Sequence, residues 1–310
     1  MTSDQKSYTL DEFKRRHALS LLRKSLQEIM PDKYKTLWWC KDEALTEIRR
    51  QFVLSTNHCV IDEFLGTEAF SKVREEIKVA HESNLVTTDG MLTFQGKNES
   101  IRTDKLGWFD CTALPSTNGS VQASCAFDQQ SNSNASQSWP HMQYLMQRIE
   151  TIVSELGSLS NDINFQLHNS EEYSRNVIIG NDFKSCHTRS RIMVTCYGGK
   201  SDTKHLDNGN KNGRRITAIY YVNQGWRRPD GGALRLYTRY TGDEENKEVY
   251  CDVEPLADRL VLFLSDQRTP HEVLPSHTDR FAVTLWFWDR HEKAAADLRD
   301  AAKGEVERES

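Results

Sequence analysis

A succession of short strand-like segments, with no helix-like segment between them, constrains the fold of this chain most. These segments are rich in β-branched and aromatic residues, and turn-forming residues separate them. Because helix-like segments come before the strands and do not alternate with them, a doubly wound parallel sheet is disfavoured. We predict a mainly β fold with flanking helices, arranged as a cupin-like jelly roll. The segments are residues 191–197, 215–222, 233–237, 249–253, 259–264 and 280–288.

The flanks of this strand-rich region predict the domain organisation. Residues 1–52 carry apolar positions at helical spacing and are predicted to be an N-terminal helical arm that packs on the main domain, or alternatively docks a partner. The main domain is predicted to span 53–293 and to contain a flexible insertion at 111–138, which is rich in Ser and Asn. Residues 294–310 are predicted to be a polar tail, and the β-branched residues 177–179 indicate one more strand.

Composition and charge exclude several classes of protein. A net charge of −5 gives no support for nucleic-acid binding, which favours a basic face, and no apolar run is long enough to cross a membrane. The N-terminus lacks the apolar centre of a signal peptide. Seven cysteines at irregular spacing predict neither a disulfide framework nor a cysteine zinc site. We therefore expect a monomer in the cytoplasm or nucleus that binds neither nucleic acid nor membrane.

Two histidines and an aspartate form the candidate metal site. His205 and Asp207 lie two positions apart, and His271 follows a proline further along the chain. Two histidines and one carboxylate are the ligands of a non-haem Fe(II) facial triad, which leaves positions open for substrate and dioxygen. Taken singly, each of these residues is more often part of a surface turn, because short motifs arise by chance. Arg280, nine residues after His271, adds weight because its position suits a dicarboxylate co-substrate.

Alternation of side chains across the predicted strands places polar groups on one face. In the last strand, one face carries Arg280 and the other an unbroken apolar stripe. A buried guanidinium without a partner is costly, so the sequence predicts that a ligand carboxylate pairs with it. The side chains predicted to share the lumen are Met193, Thr195, Tyr197, Thr217, Ile219, Tyr221, Arg280, Ala282, Thr284 and Trp286.

Several longer strings resemble one known family. Residues 265–273 read Ser-Asp-Gln-Arg-Thr-Pro-His-Glu-Val, residues 205–208 read His-Leu-Asp-Asn, and residues 280–287 read Arg-Phe-Ala-Val-Thr-Leu-Trp-Phe. These strings resemble the hypoxia-inducible-factor prolyl hydroxylases. The likeness is almost continuous over 191–289 and weaker upstream.

The resemblance implies a double-stranded β-helix that carries out prolyl 4-hydroxylation with Fe(II), 2-oxoglutarate and O2, and with ascorbate as a reductant. His205, Asp207 and His271 would hold the iron. The distal carboxylate of 2-oxoglutarate would pair with Arg280, assisted by Tyr221 and Thr284. The remaining pocket residues would be Tyr197, Met193, Ile219, Leu234 and Val273, and the substrate contacts would be Arg102, Asp104, Arg214 and Trp286.

The implied partner is a protein that bears the target proline. The segment between Tyr197 and His205 is shorter than in animal oxygen sensors, and Asp202 stands near the place of a family tyrosine. We therefore favour the F-box adaptor of cullin-type ubiquitin ligases over a hypoxia-inducible-factor-like protein. The alternatives are a non-catalytic jelly-roll binding module and an oxygenase that acts on another residue. A nucleic-acid demethylase is disfavoured because Trp286 stands where that family has a second arginine.

Overall fold

Two antiparallel β-sheets form the centre of the molecule. In this computed structural model the described residues are 3–54, 57–87, 104–115, 121–127, 138–159, 170–199, 201–239 and 248–309. Their strands are β1 (His58–Asp62), β2 (Lys105–Pro115), β3 (Val121–Phe127), β4 (Cys186–Arg189), β5 (Ile192–Gly198), β6 (Asp202–His205), β7 (Arg214–Tyr221), β8 (Leu234–Arg239), β9 (Glu248–Val253), β10 (Arg259–Leu264), β11 (His271–Val273) and β12 (Asp279–Asp289).

The larger sheet has the order β1-β10-β7-β12-β5-β2-β3, with β4 paired to β12, and the smaller sheet has the order β6-β11-β8-β9. An apolar cluster of β7, β10 and β12 residues with β8, β9 and β11 residues fills the space between the sheets. This arrangement confirms the predicted mainly β jelly roll. All six strands predicted in the strand-rich region are present, whereas β4, β6 and β11 were not predicted, because three or four residues are too few to show a period.

Helices cover the outer face of the larger sheet. They are α1 (Ser3–Ile29), α2 (Asp42–Leu54), α3 (Thr67–Glu82), α4 (Pro140–Ser158), α5 (Ser170–Lys184) and α6 (Arg290–Glu309), with a 3-10 helix at Asp32–Cys40. Apolar faces of α2, α3, α4 and α5 form one core with the outward residues of β7, β10 and β12. The Glu76 carboxylate on α3 accepts hydrogen bonds from the backbone N–H groups of His141 and Met142, which fixes the start of α4.

The N-terminal helices are part of this core. Ile48 and Phe52 of α2 are fully buried, and Trp39 donates its indole N–H to the Phe64 carbonyl at 2.9 Å. The packing interpretation of the arm therefore agrees with the structure. The predicted boundary at residue 52 falls inside α2, and the boundary at 293 falls inside α6, so neither is a break in the fold.

Two local predictions differ from the structure. Within the insertion predicted to be flexible at 111–138, β2 runs on to Pro115 and β3 pairs with it, so this part is a β-hairpin. The alternation of apolar and polar residues in Val121–Phe127 is the strand signal that the surrounding Ser and Asn residues obscured. Residues 177–179 lie in α5 and not in a strand, because Asn176, Ile179 and Phe183 form a buried face at helical spacing.

Two further findings concern expectations from composition. Within the described part of the chain, no helix is both long and apolar enough to cross a bilayer. Cys111 is disulfide-bonded, which the irregular cysteine spacing did not predict. The free thiols among the described residues are Cys40, Cys59, Cys186, Cys196 and Cys251.

Candidate active site

The two short strands β6 and β11 bring the three predicted metal ligands together. His205 ends β6 and His271 begins β11, and the two residues are paired across the smaller sheet. Asp207 lies two residues after His205. One potential ligand atom from each of the three side chains lies within 4.8 Å of the others. The imidazole rings are 4.3 Å apart between centroids, so a single cation can reach both.

Backbone carbonyl groups orient both imidazoles. The Nδ1 atom of His205 lies 2.7 Å from the Thr203 carbonyl oxygen, and the Nδ1 atom of His271 lies 3.2 Å from the Thr269 carbonyl oxygen. Because a carbonyl oxygen only accepts, each Nδ1 carries a proton, and in the neutral imidazole the lone pair is then on Nε2. This tautomer is the one that a neutral histidine needs in order to bind a metal through Nε2. The donor set and its orientation therefore fit Fe(II).

The third candidate ligand is a buried carboxylate that stays ionised. Burial alone would raise the pKa of Asp207, but nearby His271, Arg214 and His205, together with a hydrogen bond from Thr217, lower it to about 2. The carboxylate Oδ2 lies 3.6 Å from His271 Nε2. An anionic ligand at neutral pH binds a divalent cation without first losing a proton.

Arg280 is a cation that lies fully buried in the lumen. It is 1% exposed, its Nε donates to the Gly232 carbonyl at 2.6 Å, and its Nη2 donates to the Tyr221 hydroxyl at 3.1 Å. The guanidinium also lies over the Tyr197 ring, 5.1 Å from the centroid. Among the described residues no carboxylate forms an ion pair with it. A buried guanidinium with free donors is a site for a ligand carboxylate, because its planar fork matches that group.

Gly232 is required for this arrangement, a role that the sequence analysis missed. Its φ is +66°, and an added Cβ would lie 2.8 Å from Arg280 Cδ. Any other residue would be strained in this conformation and would displace the arginine stem. The paired glycines at 231 and 232 were the available sequence signal.

The other predicted co-substrate residues face the same lumen. In the register of β12, Thr284 pairs with Ile219 on β7 and with Met193 on β5. Burial raises the pKa of Tyr221, so its hydroxyl stays protonated. The predicted pocket residues that are buried in the cluster between the sheets are Tyr197, Ile219, Tyr221, Leu234 and Val273.

Arg214 and Trp286 lie beside the triad. The Arg214 guanidinium lies 4.0 Å from the Trp286 ring centroid, and its Nη1 is 3.5 Å from Asp207 Oδ1. The indole N–H of Trp286 is buried and has no hydrogen-bond partner among the described residues. Of the other predicted substrate contacts, Asp104 is buried just before β2, and Arg102 lies outside the described residues.

The sequence analysis also did not predict that two hydroxyl-bearing residues, Thr217 and Ser265, lie beside Asp207. The Thr217 hydroxyl donates to Asp207 Oδ2 at 2.6 Å, and its oxygen lies 2.8 Å from Ser265 Oγ. Alternation placed Thr217 in the lumen, but only the fold brings it to the carboxylate of the candidate metal site. Asp202 is buried near Tyr197, whose hydroxyl lies 3.5 Å from Asp202 Oδ2.

Comparison with known proteins identifies similar sequences and structures. Residues 192–288 match the 2OG-Fe(II) oxygenase superfamily. The chain is 30% identical over 246 residues to Egl nine homolog 1 of Homo sapiens, covering 78% of this chain and 46% of that protein. It is 30% identical over 245 residues to the hypoxia-inducible factor prolyl hydroxylase of Caenorhabditis elegans, covering 76% of this chain and 27% of that protein. The chain thus spans about half the length, or less, of these two relatives.

A solved structure shares both fold and sequence. The prolyl hydroxylase of Trichoplax adhaerens, solved in complex with a hypoxia inducible factor oxygen degradation domain peptide fragment, superposes with a TM-score of 0.58 at 27% identity. The match covers 82% of this chain and 93% of that structure. The similarity therefore extends over nearly the whole of that solved chain.

Proposed function

We propose that the chain belongs to the hypoxia-inducible-factor-type prolyl hydroxylases of the 2OG-Fe(II) oxygenase superfamily and that it 4-hydroxylates a proline of a protein substrate. The superfamily works with Fe(II), 2-oxoglutarate and O2. When bound, the iron would activate dioxygen, which is the oxidant, and one oxygen atom would end in succinate as 2-oxoglutarate is oxidised with loss of carbon dioxide, while the other would end on the target proline. The protein holds the reactants and excludes water.

The observation that carries this proposal is the buried Arg280 guanidinium with no acidic partner among the described residues. It lies on the lumen face of the larger sheet, opposite the smaller sheet that carries His205 and His271, and its free donors suit the distal carboxylate of 2-oxoglutarate. The Tyr221 hydroxyl accepts a hydrogen bond from the guanidinium, and Thr284 lines the same face. His205, Asp207 and His271 would bind Fe(II).

The residues beside the triad suit a peptide substrate. Trp286 presents a flat ring to a prolyl side chain, and its unpaired indole N–H can donate to a peptide carbonyl. Arg214 stacks on this ring and keeps it in place beside Asp207. Asp104 and Arg102 are proposed to contact the substrate.

We further propose a cytoplasmic or nuclear protein as substrate, in an oxygen-sensing role. The F-box adaptor of cullin-type ubiquitin ligases ranks first, because the short segment before His205 and the aspartate at position 202 depart from animal oxygen sensors. A hypoxia-inducible-factor-like protein ranks second, because the similar Trichoplax structure holds such a peptide.

The test is mass spectrometry of both candidate substrates after incubation with enzyme, Fe(II), 2-oxoglutarate and oxygen. We expect a proline that gains one oxygen atom, together with succinate formation, and we expect His205→Ala to abolish both. Binding of 2-oxoglutarate without turnover would favour the non-catalytic jelly-roll module. Turnover with oxidation at a residue other than proline would favour a different oxygenase. Full activity of His205→Ala would overturn the metal assignment.

A further inference from the structure

The Asp207 carboxylate accepts a hydrogen bond from the Thr217 hydroxyl, which in turn contacts the Ser265 hydroxyl. Neither hydroxyl has a role in the proposed reaction. The Thr217 Oγ1 atom lies 2.6 Å from Asp207 Oδ2 and 2.8 Å from Ser265 Oγ. Thr217 is 1% exposed, Ser265 is 0% exposed and Asp207 is 7% exposed. Little solvent therefore reaches these groups to replace either contact.

The direction of both hydrogen bonds follows from the charge on the aspartate. An ionised carboxylate only accepts, so Thr217 must donate its proton to Asp207. The Thr217 oxygen is then an acceptor, and the Ser265 hydroxyl donates to it. Ser265 therefore donates its hydrogen bond to Thr217, and Thr217 donates its own to Asp207.

Backbone hydrogen bonds fix the position of Ser265, the first donor in this series. The Ser265 N–H donates to the Arg215 carbonyl at 2.9 Å, and the Ser265 carbonyl accepts from the Asn208 N–H at 2.8 Å. The first contact ties Ser265 to β7 and the second ties it to the residue after Asp207. The hydroxyl pair is thus anchored both to the strand that carries Thr217 and to the loop that carries the ligand.

The other carboxylate oxygen has a separate partner. Arg214 Nη1 lies 3.5 Å from Asp207 Oδ1, while Thr217 holds Oδ2. Because the two oxygens of a carboxylate turn together about one torsion, the 2.6 Å contact at Oδ2 also sets where Oδ1 lies. A carboxylate whose rotation is fixed in this way presents one defined lone pair to a cation.

We propose that Thr217, supported by Ser265, is a positioning residue that sets the rotation of the Asp207 carboxylate for metal binding. The inference rests on the proposed function, because it assumes that Asp207 binds the metal. Partners of metal ligands of this kind change metal affinity by roughly 10–100-fold when removed.

The experiment is titration of the purified chain with Mn(II) or Co(II) in the absence of 2-oxoglutarate and substrate. Thr217→Val keeps the side-chain shape and removes the hydroxyl. We expect its dissociation constant for Mn(II) to rise about 10–100-fold and its visible absorption with Co(II) to differ from that of the wild type. Thr217→Ser keeps the donor, and we expect it to restore both properties.

Matched variants separate positioning from loss of structure. Tyr220 is also on β7 and is buried in the core outside the lumen, where its hydroxyl donates to the Asp258 carboxylate at 2.8 Å, and we expect Tyr220→Phe to bind metal as the wild type does. Ser265→Ala removes only the second donor, and we expect a smaller loss of affinity in the same direction. It also serves as the test if Thr217→Val does not fold.

The failures of the two ideas are distinguishable. Wild-type Mn(II) affinity in Thr217→Val, with loss of binding in His205→Ala, would overturn the positioning role and leave the metal site intact. Wild-type affinity in His205→Ala would overturn the metal site itself. Equal losses in Thr217→Val and Tyr220→Phe would mean that any buried hydroxyl matters, which would also overturn the positioning role.

Discussion

Arg280→Lys is the residue-scale change that tests the co-substrate pocket. Lysine keeps the charge, but its ammonium cannot donate to Gly232, Tyr221 and a carboxylate in the planar geometry of the guanidinium. We expect the KM for 2-oxoglutarate to rise about 10–100-fold, equivalent to about 1.4–2.7 kcal/mol, with a smaller change in kcat. Initial rates of succinate formation at varied 2-oxoglutarate measure both constants.

Arg235→Lys is the matched control for that variant. Arg235 forms a two-pronged ion pair with Asp252 on the outer face of the smaller sheet, away from the lumen. The same chemical change there is expected to leave the KM for 2-oxoglutarate at the wild-type value. An unchanged KM in Arg280→Lys would contradict the pocket.

Some parts of the site can be predicted from single residues and others cannot. Strand alternation alone puts Arg280 and Tyr221 in one lumen, because a period of two is readable over eight residues. The contact of Thr217 with Asp207 joins residues ten positions apart across a loop, and no local pattern contains it. The Gly232 carbonyl that receives Arg280 likewise depends on a close approach of two strands that only the fold supplies.

At the scale of elements, Arg49 joins three helices. It is 0% exposed on α2, its Nη1 donates to the Leu159 carbonyl after α4, and its Nη2 donates to the Asn176 carbonyl on α5. Replacing it with methionine leaves two buried carbonyls without these donors, at about 1–3 kcal/mol each. We expect Arg49→Met to lower the free energy of unfolding by roughly 2–4 kcal/mol in urea denaturation.

The neighbouring Arg50 supplies the comparison. Its guanidinium pairs only locally, with Glu47 one turn earlier, and its side chain is 37% exposed. Such a pair contributes about 0.3–0.5 kcal/mol, so Arg50→Met should change stability by less than about 1 kcal/mol. Equal losses for the two variants would refute the linking role of Arg49.

The predictability of an element depended on its length and on what packs against it. Strands of six residues or more in the smaller sheet were predicted, whereas β6 and β11, which carry the two histidines, were not. Residues 177–179 looked like a strand because three β-branched side chains adjoin. In α5, burial of Ile179 against the core outweighs that propensity.

For the whole molecule, ligand binding is expected to raise the free energy of unfolding and the melting temperature. The triad and Arg280 lie on facing sheets, so a co-substrate held between them contacts both halves of the fold. Under nitrogen, with Mn(II) and 2-oxoglutarate at about 100 times their dissociation constants, each ligand adds about 2.7 kcal/mol. For a chain of this size that raises Tm by roughly 5 °C for each ligand.

The variants divide this thermal shift into its parts. Arg280→Lys is expected to keep the rise caused by Mn(II) and to lose most of the further rise caused by 2-oxoglutarate. His205→Ala is expected to lose both, because removing one of three ligands weakens the metal and the co-substrate site that includes it. Differential scanning fluorimetry of the three proteins, each with no ligand, Mn(II) alone and both ligands, measures these shifts. A full 2-oxoglutarate shift in His205→Ala would mean that the co-substrate binds independently of the metal, which the shared lumen argues against.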